Sequence, residues 1–264
     1  MTKDVVVKYL KVWWLMSRNS FLAIFYTKVA LSIFLTGKIL RFSFFLLFLY
    51  FLVVGSNSLA GYTLNQVIFF YLTFNLIDVT SQFLFREVYR FRALLVSGGF
   101  DMVLLKPVSP LFRSLMGGAD IIDLVTLPPL ICALVYVGSL LNPSLISVIT
   151  YVLLLINSLL IATAFHIFVL GFGIRTLEVD HLVFIYRDLV NLGKLPIDIY
   201  REPIRSVVTY LIPVGIMITL PAKALMGMVS PLGILMTFVI GVIACYFALR
   251  FWQLSLTKYS SASS

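Results

Sequence analysis

The sequence predicts an all-α, polytopic membrane protein, and three observations carry that expectation. Of its 264 residues 61% are hydrophobic and 12% charged, too little polar surface for a water-soluble domain of this length to cover its core. Apolar segments recur from residue 21 to residue 252 with only short polar gaps, which leaves no stretch for a separate soluble domain and makes 1–264 a single transmembrane domain. The formal charge of +9 sits in those gaps rather than on a soluble face. It therefore reads as topology determinants and contacts to membrane lipids, and argues against nucleic acid as a partner.

Taken in order, residues 1–36 are expected as an interfacial helix. In MTKDVVVKYLKVWWLMSRNS, Lys8, Lys11 and Arg18 share one helical face and Val6, Leu10, Trp13 and Trp14 occupy the rest, a pattern suited to the membrane surface and not to a secretory leader. The run 21–36 is read as its continuation. A crossing needs about 20 apolar residues, and 37–57, 63–84, 117–139, 146–171 and 231–251 supply them. Lys38 and Arg41 fall near the start of the first, where long side chains snorkel.

Charge then orients the spans. Lys3, Lys8, Lys11 and Arg18, and the group Arg86, Arg90, Arg92, Lys106 and Arg113, mark cytoplasmic segments, whereas 56–63 and 138–147 carry no charge and face outward. Arg250 and Lys258 place the C-terminal segment in the cytoplasm too, so the crossings must be even in number and a sixth lies between 172 and 230. Two segments compete for it. The stretch 173–194 carries Arg175, Glu178, Asp180, Arg187 and Asp188; 205–221 is more apolar but contains Pro213 and Pro221. Hydropathy favours the second, whereas proline inside a span frees a carbonyl that only protein or a wet cavity satisfies, which favours a re-entrant hairpin there.

No catalytic or metal constellation is expected. His166 and His181 lack the spacing of a zinc motif and have no carboxylate pair beside them. Cys132 and Cys245 lie in apolar runs and read as small hydrophobes rather than a disulfide. With no GxxxxGK[ST] in the chain, any ATP chemistry is borrowed. The most informative stretch is 86–115, where Phe100, Met102, Val103, Leu104 and Leu105 stand between a Gly98-Gly99 break and a Pro107 stop. That pattern predicts a short helix with an apolar face, which either docks a partner or lies on the bilayer.

GGFDMVLLKPVSPLF (98–112) resembles the recurring signature G-x-[LF]-D-x-x-L-L-K-P-[VI]-[NS]-P-L-F of the ABC-2 type permeases, in a subgroup of small six-span subunits. LPIDIYREPIRSVVTYLIPVGIMITLPAKALMG (195–227) and the ending KYSSASS (258–264) look like two further parts of that subgroup's pattern. The resemblance implies six spans in a bacterial cytoplasmic (inner) membrane, both termini cytoplasmic, a coupling helix in 86–115 and an extracellular re-entrant segment at 195–230. It favours 173–194 as the fifth span. It implies a permease of an ATP-driven exporter, paired with a second ABC-2 permease, related or identical, and with two copies of a cytoplasmic ATPase; a pathway walled by Phe, Leu and Tyr suits amphipathic or hydrophobic cargo. ATP and magnesium would be bound by that ATPase and no cofactor by this chain.

On this reading Gly99, Asp101, Met102, Leu104, Leu105, Lys106 and Pro107 form the docking element. Arg187 and Asp188 are the deeper pathway or interface candidates, with Glu178 and Asp180 nearer the border. A membrane-embedded enzyme acting on lipid would need intramembrane acid, base or metal clusters. A passive channel or scaffold would have no use for the docking signature.

Overall fold

The computed structural model describes residues 3–25 and 28–260; the last four residues of the KYSSASS ending, and positions 1, 2, 26 and 27 of the expected N-terminal helix, lie outside them. Helix α1 (Lys3–Phe25) is followed by α2 (Lys28–Ser56). The boundary expected at 36 therefore falls between Phe25 and Lys28. The apolar run 28–36 continues into the first span and not into the N-terminal helix, so Lys38 and Arg41 lie well inside α2 rather than near its start.

Helix α3 (Leu64–Phe85) starts where the Thr63 N–H donates to Gln66 Oε1 at 2.9 Å. After a 3₁₀ turn at Arg86–Arg90 come three six-residue helices, α4 (Phe91–Val96), α5 (Gly99–Leu104) and α6 (Pro110–Leu115). Side-chain caps open the next two spans. Asp120 accepts from the Ile122 N–H at the head of α7 (Ile121–Ser139), and Ser144 from the Ser147 N–H at the head of α8 (Leu145–Thr176). Helix α9 (Val179–Asn191) runs into a 3₁₀ turn at Leu192–Lys194. The helices α10 (Ile204–Leu211) and α11 (Gly215–Leu225) meet at 77°. Ser230 then caps α12 (Pro231–Leu256) through the Gly233 N–H.

Among the described residues five helices are long and apolar enough to cross a membrane, six if the bent α10–α11 pair counts as one span. Contacts at the two ends of the bundle decide how the chain between α8 and α12 runs. At the basic end, α1 lies against 107–119: Lys8 Nζ donates to the Pro107 carbonyl (2.9 Å), the Ser109 N–H to Tyr9 Oη (3.0 Å) and the Ala119 N–H to Ser17 Oγ (3.2 Å). Arg92 pairs with Asp180 across 3.7 Å, so α9 begins at this end. At the opposite end, Tyr62 from the uncharged 56–63 loop donates to Asp198 Oδ2 at 2.9 Å. The chain thus passes from one end to the other between 180 and 198.

That crossing is short. The 13 residues of α9 rise about 20 Å and the 3₁₀ turn adds about 6 Å, a little less than the ~30 Å of a hydrocarbon core. The α10–α11 pair enters and leaves at the Asp198 end, because Arg205 at its start and Lys223 near its finish each lie 2.7 Å from that carboxylate. Its tip, Tyr210, Leu211 and Pro213, borders a cavity with Phe165 and Phe168 of α8 and Ala244 of α12, about halfway along both helices. The two ends of the pair thus lie at the same carboxylate, and by length and composition the bent pair counts as one broken span or as a re-entrant loop.

Helix α3 is the axis of the bundle, buried along most of its length, whereas α2 buries only Leu49 and Val53. Phe69, Phe70 and Leu72 are fully enclosed. Because lipid tails are as apolar as leucine, helices associate there through packing and hydrogen bonds rather than through water release. Accordingly Thr73 Oγ1 and Tyr151 Oη share a bond (3.1 Å) between α3 and α8, and Asn157 Nδ2 donates to the Thr237 carbonyl (2.9 Å) between α8 and α12.

Candidate docking face and membrane pocket

The first candidate site is the element that starts at Gly98, whose φ of 70° is costly for any residue with a Cβ. From that turn α5 folds back so that Phe100 and Val103 point inward. The Phe100 ring packs edge-on to Phe91 and Tyr259 at 5.3 and 5.1 Å, with Trp252 at 6.4 Å. With those two anchored, Met102, Leu104 and Leu105 face outward, Leu105 at 80% exposure. Lys106 and Pro107 are exposed beside them. Asp101 accepts a hydrogen bond from Tyr259 Oη at 2.9 Å, which ties this element to the chain beyond α12. Burial and that acidic partner push the Tyr259 phenol up to about 12.

The second candidate lies inside the spans. Arg41 of α2, Asn75 and Asp78 of α3, and Arg187, Asn191 and Lys194 after them line one small cavity of about 70 Å³. Positions 187, 191 and 194 share a helical face, which is how one short crossing delivers three polar groups to it. Arg187, Arg41 and Lys38 all act on the Asp78 carboxylate through space, while Asp78 itself accepts from Gln82 Nε2 at 2.8 Å. Among the described residues, no carboxylate lies within ion-pair distance of Arg41, Arg187 or Lys194. Each charge costs about 2.5–3.5 kcal/mol near the centre of a spanning helix, so three cations against one acid is an arrangement with a use. Lys38 is different: it is 2.5 Å from Asp123 and 3.1 Å from Thr126 Oγ1 on α7.

Arg41, Asn75 and Tyr71 also line an adjoining cavity of about 190 Å³ walled by Ile39, Phe42, Val79, Pro129, Leu130 and Ala133. Its wall on α7 includes Pro129, which with Pro128 before it removes two N–H donors from that helix.

A third cluster, at the end of the hairpin, is fully paired. Asp198 receives Tyr62, Arg205 and Lys223 together. Burial works to raise its pKa, but the hydrogen bonds from Lys223 and Tyr62 and the charges of Lys223 and Arg205 outweigh it and hold the carboxyl below its ordinary value. Burial and the same carboxylate raise the Tyr62 phenol. Gly193 makes the approach of this region possible, since a Cβ there would stand 2.3 Å from Ile218 Cδ1.

A family model described as ABC-2 family transporter protein matches residues 38–263, a span that runs from within α2 through the exposed α5 face and the hairpin to α12. The chain belongs to the ABC-2 transporter family. It is therefore a membrane permease component of an ABC transporter, a family that works with an ABC ATPase and is not itself the catalytic part. No curated protein and no solved structure matches the chain.

Within this permease the candidates separate. Arg187 lines the pocket, whereas Asp188, one position on, is exposed and off that face. Asp180 pairs with Arg92 and Glu178 with His181 (2.6 Å), all four half or more exposed at the basic end. These two acids mark a border and do not line the pocket. His166 is buried among Phe85, Tyr89 and Tyr186, its Nδ1 2.8 Å from the Ala162 carbonyl. Among the described residues no three metal-binding side chains cluster. Sequence reasoning missed Asp78, Lys194 and the role of Arg41. A single acid in an apolar span was the signal available for Asp78.

Proposed function

We propose that this permease moves an amphipathic or hydrophobic substrate outward across a bacterial inner membrane, driven by a separate cytoplasmic ATPase that docks on 99–107. The observation that carries the reading is the outward-facing set Met102, Leu104 and Leu105 with Lys106 and Pro107, held rigid from behind by Phe100 and Val103. Exposed apolar groups on an anchored helix supply burial to a partner and a neighbouring charge sets register. Gly99 and Asp101 serve the element itself, as its start and its tie to Tyr259. The basic end would face the cytoplasm, with both termini there, and the hairpin would close the outer side against backflow. A second permease subunit, related or identical, and two ATPase copies would complete the transporter, with ATP and magnesium held by the ATPase.

Joint substitution Met102→Asp, Leu105→Asp and Lys106→Glu leaves the fold intact, because exposed positions change stability by less than about 0.5 kcal/mol. It is expected to abolish co-purification of the ATPase and nucleotide-driven transport. If a stable triple variant still brings the ATPase down and transports, 99–107 is not the docking element. Sidedness is tested separately by a single cysteine in place of Arg201: labelling by an impermeant reagent from the cytoplasmic side would refute the assigned orientation.

A further inference from the structure

We propose that the two adjoining cavities between α2, α3, α7 and α9 are one binding site for an anionic amphiphile, its phosphate or carboxylate headgroup between Arg41, Arg187 and Lys194 and its apolar chain along α7. The inference deepens the transport reading and rests on it only for the ligand's role as cargo.

The polar cavity has three cations and a single acid among its lining residues, so a ligand carrying one or two negative charges balances it. Both arginines stay charged whatever the surroundings, and their planar forks suit phosphate and carboxylate oxygens. Asn75 and Asn191 add amide donors at the same place. Contrast Lys38, a neighbouring cation on the same helix as Arg41, which already has Asp123 and Thr126; the three pocket cations have no such partner among the described residues. A cavity needs about 10–15 Å³ to hold one water, so about 70 Å³ admits a headgroup of several atoms.

The second half of the argument is the continuity of the two cavities. Arg41, Tyr71 and Asn75 line both, and beyond them the larger cavity is walled mainly by Phe42, Val79, Leu130 and Ala133, with Ser43, Thr126 and the Asp123-paired Lys38 also in its lining. A polar, positively charged compartment opening into a larger apolar one fits an amphiphile better than a free ion, which has no use for the second, or a neutral lipid, which leaves the cations unbalanced. Lipid headgroups and free phosphate share the chemistry of the first compartment, and only the chain tells them apart.

The test uses the full chain purified in a neutral maltoside detergent, with radiolabelled dodecyl phosphate as probe and dodecyltrimethylammonium and inorganic phosphate as competitors. The proposal expects saturable binding that the cationic surfactant of equal chain length does not displace. It expects Arg41→Gln and Arg187→Gln each to weaken binding about tenfold, as the loss of one charge-assisted hydrogen bond does, and Arg187→Lys, which keeps the charge but not the fork, to fall between Arg187→Gln and wild type. Ala133→Phe, which fills the apolar compartment without altering charge, should weaken dodecyl phosphate as well. Displacement by phosphatidylglycerol but not phosphatidylcholine nanodiscs would support the proposal with a membrane lipid as source; no displacement by either, with the probe still bound, would support a non-lipid amphiphile. Equal affinity for inorganic and dodecyl phosphate would overturn it in favour of a free-anion site, and so would unchanged binding in both glutamine variants eluting as single monodisperse species. Binding is read without nucleotide or ATPase, so failure of the docking test leaves this result standing, and the reverse.

Discussion

Two polar clusters sit on this permease, and they are built on opposite principles. At the end of the hairpin one carboxylate, Asp198, gathers two cations and a phenol. Between the helices, Arg41, Arg187 and Lys194 line one cavity with Asp78 and make no ion-pair contact among the described residues. A saturated cluster holds structure together, because removing one member strands the others; an unsaturated one keeps its binding capacity free. The contrast assigns the first to architecture and the second to a ligand.

Substitutions can break that assignment, and the largest effect belongs to Asp198→Ala. It leaves Lys223 and Arg205 facing each other without their acid and should cost about 3 kcal/mol, measured as a drop in the unfolding temperature of the purified protein. Lys223→Met, which keeps Arg205 and Tyr62 on the carboxylate, should cost about 2 kcal/mol, and Tyr62→Phe about 1 kcal/mol. Arg187→Gln comes last: it relieves an unpaired charge and should shift stability by less than about 0.5 kcal/mol in either direction while transport falls. If Arg187→Gln destabilises as much as Asp198→Ala, the interior cluster is structural and the contrast collapses.

Acidity separates the clusters as well. The folded state holds Asp198 below its ordinary value, so its contribution is present above the unfolded carboxyl pKa of about 3.9 and is lost as pH falls through the lower folded value. Wild type and Asp198→Asn should therefore differ in unfolding temperature at neutral pH and converge at pH 2. A difference that persists undiminished at pH 2 would mean that the charge of Asp198 is not what holds the hairpin.

The sequence made the membrane architecture legible because spans are long and their signal is local. Twenty-odd apolar residues announce themselves, and a proline in such a run argues against a straight crossing. The charged segment 173–194 could be preferred over 205–221 on that ground and on the family resemblance, while length and composition alone leave the bent pair at 204–225 as a broken span or a re-entrant loop. The register of α2 was not legible, since 21–36 is apolar enough to belong to either neighbour. Nor was the interior pocket. Arg41, Asp78 and Arg187 lie on three different helices, and nothing local in a window around Asp78 says which cations face it across the bundle. The apolar set at 102–105 showed in the sequence, but its division into inward Val103 and outward Met102, Leu104 and Leu105 came only with the packing of Phe100 against Trp252 and Tyr259.

The tie between α1 and the segment after α5 is made to main-chain atoms on the segment's side: the Pro107 carbonyl, the Ser109 N–H and the Ala119 N–H. What α1 reads is the path of the backbone and not the identity of its side chains. Substitutions that keep the backbone path therefore leave the strap in place, whereas a one-residue insertion or deletion between 109 and 119 puts the Ala119 bond out of register with the other two, and Ser109→Pro removes the bond to Tyr9 together with the cap of α6. The strap itself is indifferent to most side chains of this stretch, although packing elsewhere fixes Gly117, Leu115 and Ala119, and its length is set by the helix that lies across it.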